Sequence, residues 1–225
     1  PPSLLITHDV ESEKGLRRAL SLKEVEGDLG VQSTWFLSSG DYFISKDIAR
    51  GLANDSIIGS HDVKHDGKLI HTRRHEDLVH RLRESRTKLE YLFESKVECF
   101  RSPLLQFSHR IVSALSEAGY RFDSSLPCWE PAYPLTMSGF GVESVQSFEV
   151  EGVIEIPLTL FQDHQLLNVL RMNTSEAIKL WIEQAKVIHS LNGDIVLLVH
   201  PDYAFSQDLQ GYRALLVSLL EVQAS

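Results

Sequence analysis

Short apolar runs alternate with longer amphipathic segments along almost the whole chain. The run at 4–7 precedes an amphipathic segment over 15–29, and the run at 56–59 precedes another over 75–93, in which leucines recur at helical spacing. This alternation predicts an α/β protein, because a helix is the usual crossover between two parallel strands. About seven such strands favour a distorted (β/α) barrel of parallel strands over an open sheet.

The remaining predicted elements continue the pattern, and no repeat or linker interrupts it. A chain of 225 residues without a linker predicts a single domain over 1–225. Pro, Gly and aromatic residues make 127–141 an irregular loop. Ser108 is a predicted helix N-cap, and Thr174 or Ser175 caps a later helix. Further strands are predicted at 31–37, 97–100, 120–122 and 194–199, a hairpin at 145–160 turning at Glu151-Gly152, and further helices at 48–53, 108–118, 175–191 and 212–222.

The composition argues against several classes of protein. A formal net charge of -9 disfavours a surface that tracks the phosphates of nucleic acid. No apolar run is long enough to span a bilayer. Cys99 and Cys128 are the only cysteines, which disfavours a disulfide-built scaffold but leaves one bridge or two free thiols open. No signal peptide is visible, which favours a cytoplasmic location, although the first predicted strand begins almost at residue 1 and export of a longer chain stays open.

Six predicted strands end in a side chain that can do chemistry. In chain order these are Asp9, His61, Arg101, Asp123, the pair Asp163-His164, and His200. The carboxyl ends of parallel strands form one rim of a barrel, and catalytic groups gather at that rim. Polar residues without a shared function would not all fall at one end of their strands, so we expect one site there.

Two histidine pairs have the His-x-x-x-His spacing, which places both imidazoles on one face of a helical turn. His71 and His75 lie beside two arginines at the entry to a long amphipathic helix, which indicates a solvated helix face. His61 and His65 differ, because His61 leaves a buried strand directly. For this pair in isolation, metal binding and a capping or core role both stay open.

Five segments together resemble the motifs of the NodB-like polysaccharide deacetylases, carbohydrate esterase family four. They occur in the family's order across nearly the whole chain, each at the end of a predicted strand. One motif alone has little specificity, but five in order are a strong signal. The segments are Thr7-His8-Asp9-Val10-Glu11, His61-Asp62-Val63-Lys64-His65, Arg101-Ser102-Pro103, Asp123-Ser124-Ser125 and Leu197-Leu198-Val199-His200.

The resemblance implies a distorted (β/α) barrel that hydrolyses an acetamido group on a sugar. It also implies a divalent metal as cofactor, with zinc as the first candidate. It also implies a role for each matching residue. Asp9 corresponds to the general base, His61 and His65 to metal ligands, Arg101 to the residue that orients the base, His200 to the general acid, and Leu197 to the residue beside the acetyl methyl.

The chain departs from the common family pattern at two positions. Val10 separates Asp9 from the next acid, so the chain resembles the Asp-x-Glu subset, with Glu11 as the third metal ligand. Residues i and i+2 of an extended chain share a face, so both carboxylates can reach the site. Leu104 stands where an aromatic residue is common. Its backbone N–H is the expected oxyanion donor, but an aromatic wall for the sugar is missing there.

Three more residues are predicted to contact the substrate. Asp123 pairs with Arg101 or lines the sugar site, unless it only forms an Asx turn. Asp163 has a substrate contact or a loop role. Trp129 lies in the irregular loop with Tyr133, where it either stacks on a sugar ring or orders the loop.

The sequence therefore predicts a metal-dependent hydrolase that removes an N-acetyl group from a sugar of a bacterial surface polysaccharide or its precursor. One alternative is a metal-dependent C–N hydrolase of a small amide or peptide, which predicts a closed pocket. Another is a non-catalytic glycan-binding protein with a decayed site, which predicts no metal binding. Structural roles stay open for four residues: Asp9 as a helix cap, Glu11 as a solvated acid, Arg101 as an ion-pair partner and His200 as a core histidine.

Overall fold

A curled sheet organises the part of the chain that the structure describes. The computed structural model describes residues 2–129, 141–203 and 205–225. The strands are β1 Leu4–Val10, β2 Ser33–Leu37, β3 Ile57–Ser60, β4 Cys99–Phe100, β5 Phe122–Asp123, β6 Phe148–Val150, β7 Val153–Glu155 and β8 Ile195–Leu198. Their order across the sheet is β6-β7-β5-β4-β3-β2-β1-β8. Within these residues, seven strands run parallel and β6 runs antiparallel to β7.

The predicted α/β class and distorted parallel barrel are confirmed, with eight strands rather than seven. The segment after β7 brings the two ends of the sheet together. Leu158 N–H donates to the carbonyl of Leu126 at 2.9 Å, and Leu160 N–H donates to the carbonyl of Val196 in β8 at 3.1 Å. Because short bridges rather than a full strand close the curl, the barrel is irregular.

Helices pack against the outer face of the sheet. They are α1 Glu13–Asp28, α2 Lys46–Ala53, α3 His75–Phe93, α4 His109–Ala118, α5 Thr174–Ser190 and α6 Leu209–Gln223. Strand side chains alternate between this outer core and the concave face. In β8, Ile195 and Leu197 belong to the outer core, whereas Val196 and Leu198 belong to a small concave cluster with Leu105. Only the strand residues that point to the concave face of the curled sheet can therefore contribute to a site there.

Most predicted elements are present, with shifted ends. Ser108 caps α4 as predicted, because its side chain accepts from the Ile111 N–H. The predicted caps of α5 are wrong: Asn173 is the N-cap, and it forms a reciprocal capping box with Glu176. The hairpin turns at Glu151-Gly152 as predicted, with both residues at positive φ. Residues 130–140 of the predicted irregular loop, with Tyr133, lie outside the described residues.

The predicted strand at 120–122 is displaced toward the carboxyl side. β5 begins at Phe122 and includes Asp123, whereas Tyr120 is a core residue whose hydroxyl donates to the Leu82 carbonyl at 3.0 Å. Among the described residues, no helix combines the length and the apolar character needed to cross a bilayer.

Candidate metal centre

The carboxyl ends of β1, β3, β4 and β8 bring four predicted residues to one rim. Asp9, His61, Arg101 and His200 are all at most 4 % exposed. The backbone ladder continues one residue beyond β3 and β4, because the Arg101 N–H donates to the Ser60 carbonyl at 2.9 Å. This sheet position, rather than loop contacts, places His61 beside Arg101.

Glu11, His61 and His65 form a group that can hold a metal ion. One ligand atom from each lies within 4.8 Å of the others. The His61 ring N–H at Nδ1 donates to the Arg101 carbonyl at 2.8 Å, and its buried Nε2 has no hydrogen-bond partner among the described residues. Two imidazoles and one carboxylate suit zinc and leave a coordination position open for a substrate or water. The donor set and the unpartnered Nε2 therefore fit the ion that the sequence predicts.

The charges of these groups also favour metal binding. Burial opposes ionisation of Glu11, but the hydrogen bond from His65 and the charges of the nearby histidines lower its pKa to about 2. Burial lowers the pKa of His61, which favours the neutral imidazole that a metal requires. The pKa of His65 is raised despite its burial, because its Nε2 lies 3.2 Å from a Glu11 oxygen. Because a metal ligand must be the neutral imidazole, metal binding competes with protonation of His65.

Arg101 holds Asp9 in a buried ion pair. One terminal nitrogen of Arg101 donates to Asp9 Oδ1 at 3.2 Å and to Thr7 Oγ1 at 3.3 Å, and the other donates to Ser124 Oγ at 2.8 Å. The guanidinium also lies 4.5 Å from the centre of the Phe36 ring. These contacts fix the guanidinium from several sides, so Asp9 has a defined orientation at the pocket.

His200 has a carboxylate partner, Asp163, for which a substrate contact and a loop role are the predicted alternatives. Asp163 Oδ1 accepts from His200 Nδ1 at 2.6 Å, and Asp163 Oδ2 accepts from the His200 N–H at 2.9 Å. Asp163 is 1 % exposed and does not line the pocket, so its predicted substrate contact is corrected. Burial would lower the pKa of His200, but the charge and hydrogen bond of Asp163 raise it to about 9.

Asp123 likewise lies beneath the rim rather than at the pocket surface, which corrects its predicted position in the sugar site. Its neighbour across β5 and β7 is Glu155, and both carboxyl groups are 1 % exposed. Asp123 Oδ1 accepts from Ser125 Oγ, whereas Glu155 Oε1 accepts from the Leu126 N–H. Burial raises the pKa of Asp123 to about 6 and that of Glu155 well above its usual value. Burial therefore disfavours the charged form of both acids, and the nearby Asp123 charge adds to this effect on Glu155.

Replacing Glu155 tests this effect of burial on the two acids. Because their raised pKa values belong to the folded state, stability is lost as pH rises from about 4 through the folded values. Glu155→Gln keeps the size of the side chain but removes one titrating group. Between pH 5 and pH 8, we expect the free energy of unfolding to drop less in Glu155→Gln than in the wild type, by more than about 1 kcal/mol. Denaturant unfolding at both pH values measures this difference, and equal pH dependence in the two proteins would contradict the raised pKa of Glu155.

The predicted contact of Leu197 with the acetyl methyl is also corrected. Leu197 lies in the outer core, because strand alternation turns it toward the helices. Leu198 pairs in register with Thr7 of β1, whose side chain reaches Arg101, and it shares the concave cluster with Leu105. Leu105 lines the pocket, so the apolar surface next to the metal group comes from Leu105 with Leu198 behind it.

Leu104, whose backbone N–H is the predicted oxyanion donor, lines the pocket and is 42 % exposed. Both Leu104 and Leu105 have positive φ, at 57° and 50°. Two consecutive branched residues in the left-handed region cost on the order of 1–2 kcal/mol each. Such strain is commonly kept where a site needs a particular backbone direction.

Trp129 lies away from the pocket, which corrects its predicted stacking on the substrate. It is 59 % exposed, its ring centre lies 5.3 Å from that of Phe161, and it borders a surface groove formed with α5 residues such as Leu180 and Val187. Nothing in the local sequence indicates which side of the barrel this aromatic residue would face.

The structure adds pocket residues that sequence reasoning assigned no role or left open. Tyr203 donates its hydroxyl to Glu11 Oε2 at 3.2 Å, and the Asp202 carboxylate accepts from the Glu11 N–H at 3.0 Å. The loop after His200 therefore fixes Glu11. The pocket is also lined by His164, which follows a predicted strand together with Asp163, and by Leu105, Gln162 and Gln165, for which no role is predicted. Gln162 and Gln165 lie next to this pair in the sequence, and Leu105 follows Leu104.

Several solved structures have a similar fold at low sequence identity to this chain. A protein assigned as a polysaccharide deacetylase from Mycobacterium smegmatis has a TM-score of 0.72 and 17% identity, over 96% of this chain and 83% of that one. A family 4 carbohydrate esterase from Streptomyces lividans has a TM-score of 0.63 and 12% identity, over 98% and 88%. Comparisons with protein-family models and with curated protein sequences give no match.

The same fold also occurs in a pseudoenzyme. A family 4 carbohydrate esterase pseudoenzyme from Bacillus anthracis has a TM-score of 0.63 and 15% identity, over 97% of this chain and 60% of that one. A mutant of a pseudoenzyme of this family has restored enzymatic activity. The present chain has the fold of the NodB-like polysaccharide deacetylases, the family 4 carbohydrate esterases.

Proposed function

We propose that this protein is a metal-dependent hydrolase that removes the N-acetyl group from a sugar of a bacterial surface polysaccharide or its precursor. One observation carries the proposal. The metal-binding group of Glu11, His61 and His65 lines the same pocket as a buried carboxylate, Asp9, and a buried imidazole, His200. Hydrolysis of an amide needs a base for the attacking water and an acid for the leaving amine, and the pocket has a candidate for each beside the possible metal ligands.

Asp9 is the proposed general base. A zinc ion held by Glu11, His61 and His65 would supply a Lewis acid that polarises the acetyl carbonyl and makes water more acidic. Asp9 accepts the proton of the attacking water, and Arg101 holds the carboxylate in its orientation. Glu11 is the ligand rather than the base, because its oxygens contact His65 and Tyr203.

His200 is the proposed general acid. An amide nitrogen leaves poorly unless it is protonated, so a proton must reach it as the C–N bond breaks. The Asp163 contact at Nδ1 leaves Nε2 directed toward the Glu11 side, 3.8 Å from a Glu11 oxygen. A His200 pKa of about 9 keeps the imidazole protonated at neutral pH. The proton is therefore available at the pocket when the amine departs.

The apolar end of the pocket suits the acetyl methyl group. Leu105, backed by Leu198, provides this surface, and the backbone N–H of Leu104 is the proposed donor to the oxyanion. Gln162 and His164 line the pocket as polar groups that suit sugar hydroxyls. The pocket therefore has a small apolar end that suits the acyl group and polar side chains around it.

The proposal is tested by measuring acetate release from N-acetylglucosamine oligomers with zinc-loaded protein. We expect zinc-dependent release that chelation abolishes and added zinc restores. Small acetamides and N-acetyl amino acids, assayed in parallel, test the alternative of a small-amide hydrolase. Release from those compounds but from no N-acetyl sugar would replace the proposed substrate class, and no release from any of them would reject the proposed activity.

A further inference from the structure

One arginine of α3 contacts the loop that carries His65 at three points. This β3–α3 loop covers residues 61–74. Arg81 Nε donates to both carboxylate oxygens of Asp62, at 2.9 and 3.0 Å. A terminal nitrogen of Arg81 donates to the Lys64 carbonyl at 3.2 Å and to Asp66 Oδ1 at 2.8 Å. The contacts therefore bracket His65 on both sides along the chain.

The Arg81–Asp62 pair is buried and its geometry is specific. The Asp62 side chain is fully buried, and that of Arg81 is 20 % exposed. Burial raises the pKa of Asp62, and the two-pronged contact with Arg81 opposes that rise. Bidentate guanidinium–carboxylate bonds are directional as well as strong, so they restrict orientation and not only distance. A lysine could not make the same set of bonds.

The loop needs such support at Asp62, because its backbone leaves β3 in an unfavourable conformation. Asp62 has a φ of 65°, in the left-handed region. Its Oδ1 also accepts from the Val63 N–H at 2.7 Å. Conformations of this kind persist only where surrounding contacts determine them, and Arg81 supplies the charged contact here.

His65 depends on this loop more than His61 depends on its strand. The hydrogen-bond ladder of the sheet fixes His61, whereas the backbone N–H of His65 donates to a side chain, Asp41 Oδ2, at 2.6 Å. The His65 side chain is 20 % exposed. A shift of the loop would move its imidazole away from Glu11 and His61, and a shift of about 1 Å is enough to weaken a metal site.

We propose that Arg81 is a positioning residue for the metal centre: by binding Asp62, the Lys64 carbonyl and Asp66, it holds the loop in the conformation that presents His65 as a ligand. The inference rests on the proposed metal site. It assigns Arg81 no contact with substrate or metal.

The test measures zinc affinity by chelator competition and His65 amide hydrogen exchange in the metal-free protein. Arg81→Met is compared with Arg83→Met, because Arg83 also leaves α3 to bind a carbonyl, that of Glu117, away from the loop. We expect Arg81→Met to weaken zinc binding at least about tenfold and to speed His65 amide exchange, with Arg83→Met close to wild type in both. Arg81→Lys should resemble Arg81→Met, since a single ammonium group cannot make the set of hydrogen bonds that the guanidinium makes.

A second variant separates positioning from folding. If Arg81→Met does not fold because Asp62 is left buried and unpaired, Arg81→Met with Asp62→Asn removes that charge. The double variant should fold and still bind zinc weakly. Wild-type zinc affinity in either folded Arg81 variant would overturn the positioning role while leaving the proposed function intact. A wild-type protein that binds no zinc would overturn both.

Discussion

Asp9→Asn is expected to lower kcat for acetate release by about 10²–10⁴-fold while leaving about one zinc ion bound per chain. The amide cannot accept the proton of the attacking water, and its shape is nearly unchanged. Asp9 lies outside the group of donor atoms formed by Glu11, His61 and His65, so zinc has no direct need of it. Acetate assays and metal content on the same preparation measure both effects.

Glu11→Gln is the matched comparison for this prediction. It makes the same carboxylate-to-amide change two residues further along the chain, directly after β1. We expect it to lose zinc as well as activity, because the neutral amide is a poor ligand. Equal loss of zinc in both variants would make Asp9 a ligand and contradict its role as base. Full activity in Asp9→Asn would remove it from the mechanism.

Asp163→Asn is expected to move the alkaline limb of the pH–rate profile to lower pH. The acid works in its protonated form, so activity falls as pH rises through the His200 pKa. That pKa is about 9 because Asp163 outweighs the effect of burial. Without the charge of Asp163, burial dominates and lowers the pKa. We expect kcat/KM at pH 8 to fall by at least about tenfold.

The control for Asp163→Asn is Glu155→Gln, a carboxyl-to-amide change that is equally buried but lies beneath Arg101. It should leave the alkaline limb where it is in the wild type. A bound dication lowers the His200 pKa in all these proteins alike, so the comparison between variants keeps its sign. An unchanged alkaline limb in Asp163→Asn would mean that the group titrating there is not His200.

The rim of the site was predictable from sequence because parallel strands impose it. Once strands end at Asp9, His61 and His200, their carboxyl ends must lie together, whatever the details of the loops. His65 follows from His61 by local spacing. The fold class was predictable for the same reason, since strand–helix alternation leaves few ways to connect parallel strands.

Residues whose role depends on a distant partner were not predictable. Whether Leu197 or Leu198 faces the site depends on the register of β8 against β1. A shift of one residue would turn each of these side chains to the opposite face of the sheet. Asp163 meets His200 across 37 residues, and no local pattern marks that pairing. The proximity of Asp123 and Glu155 likewise requires β5 and β7 to be neighbours, which only the sheet order reveals.

Zinc content after equal exposure and desalting tests the central claim most directly. We expect about one zinc ion per chain in the wild type, near none in His61→Ala, and the wild-type amount in His71→Ala, which removes an exposed histidine of the same spacing. Mass spectrometry of the metal measures all three. Zinc that is absent from the wild type, or equally present in His61→Ala, would contradict a metal centre built on Glu11, His61 and His65.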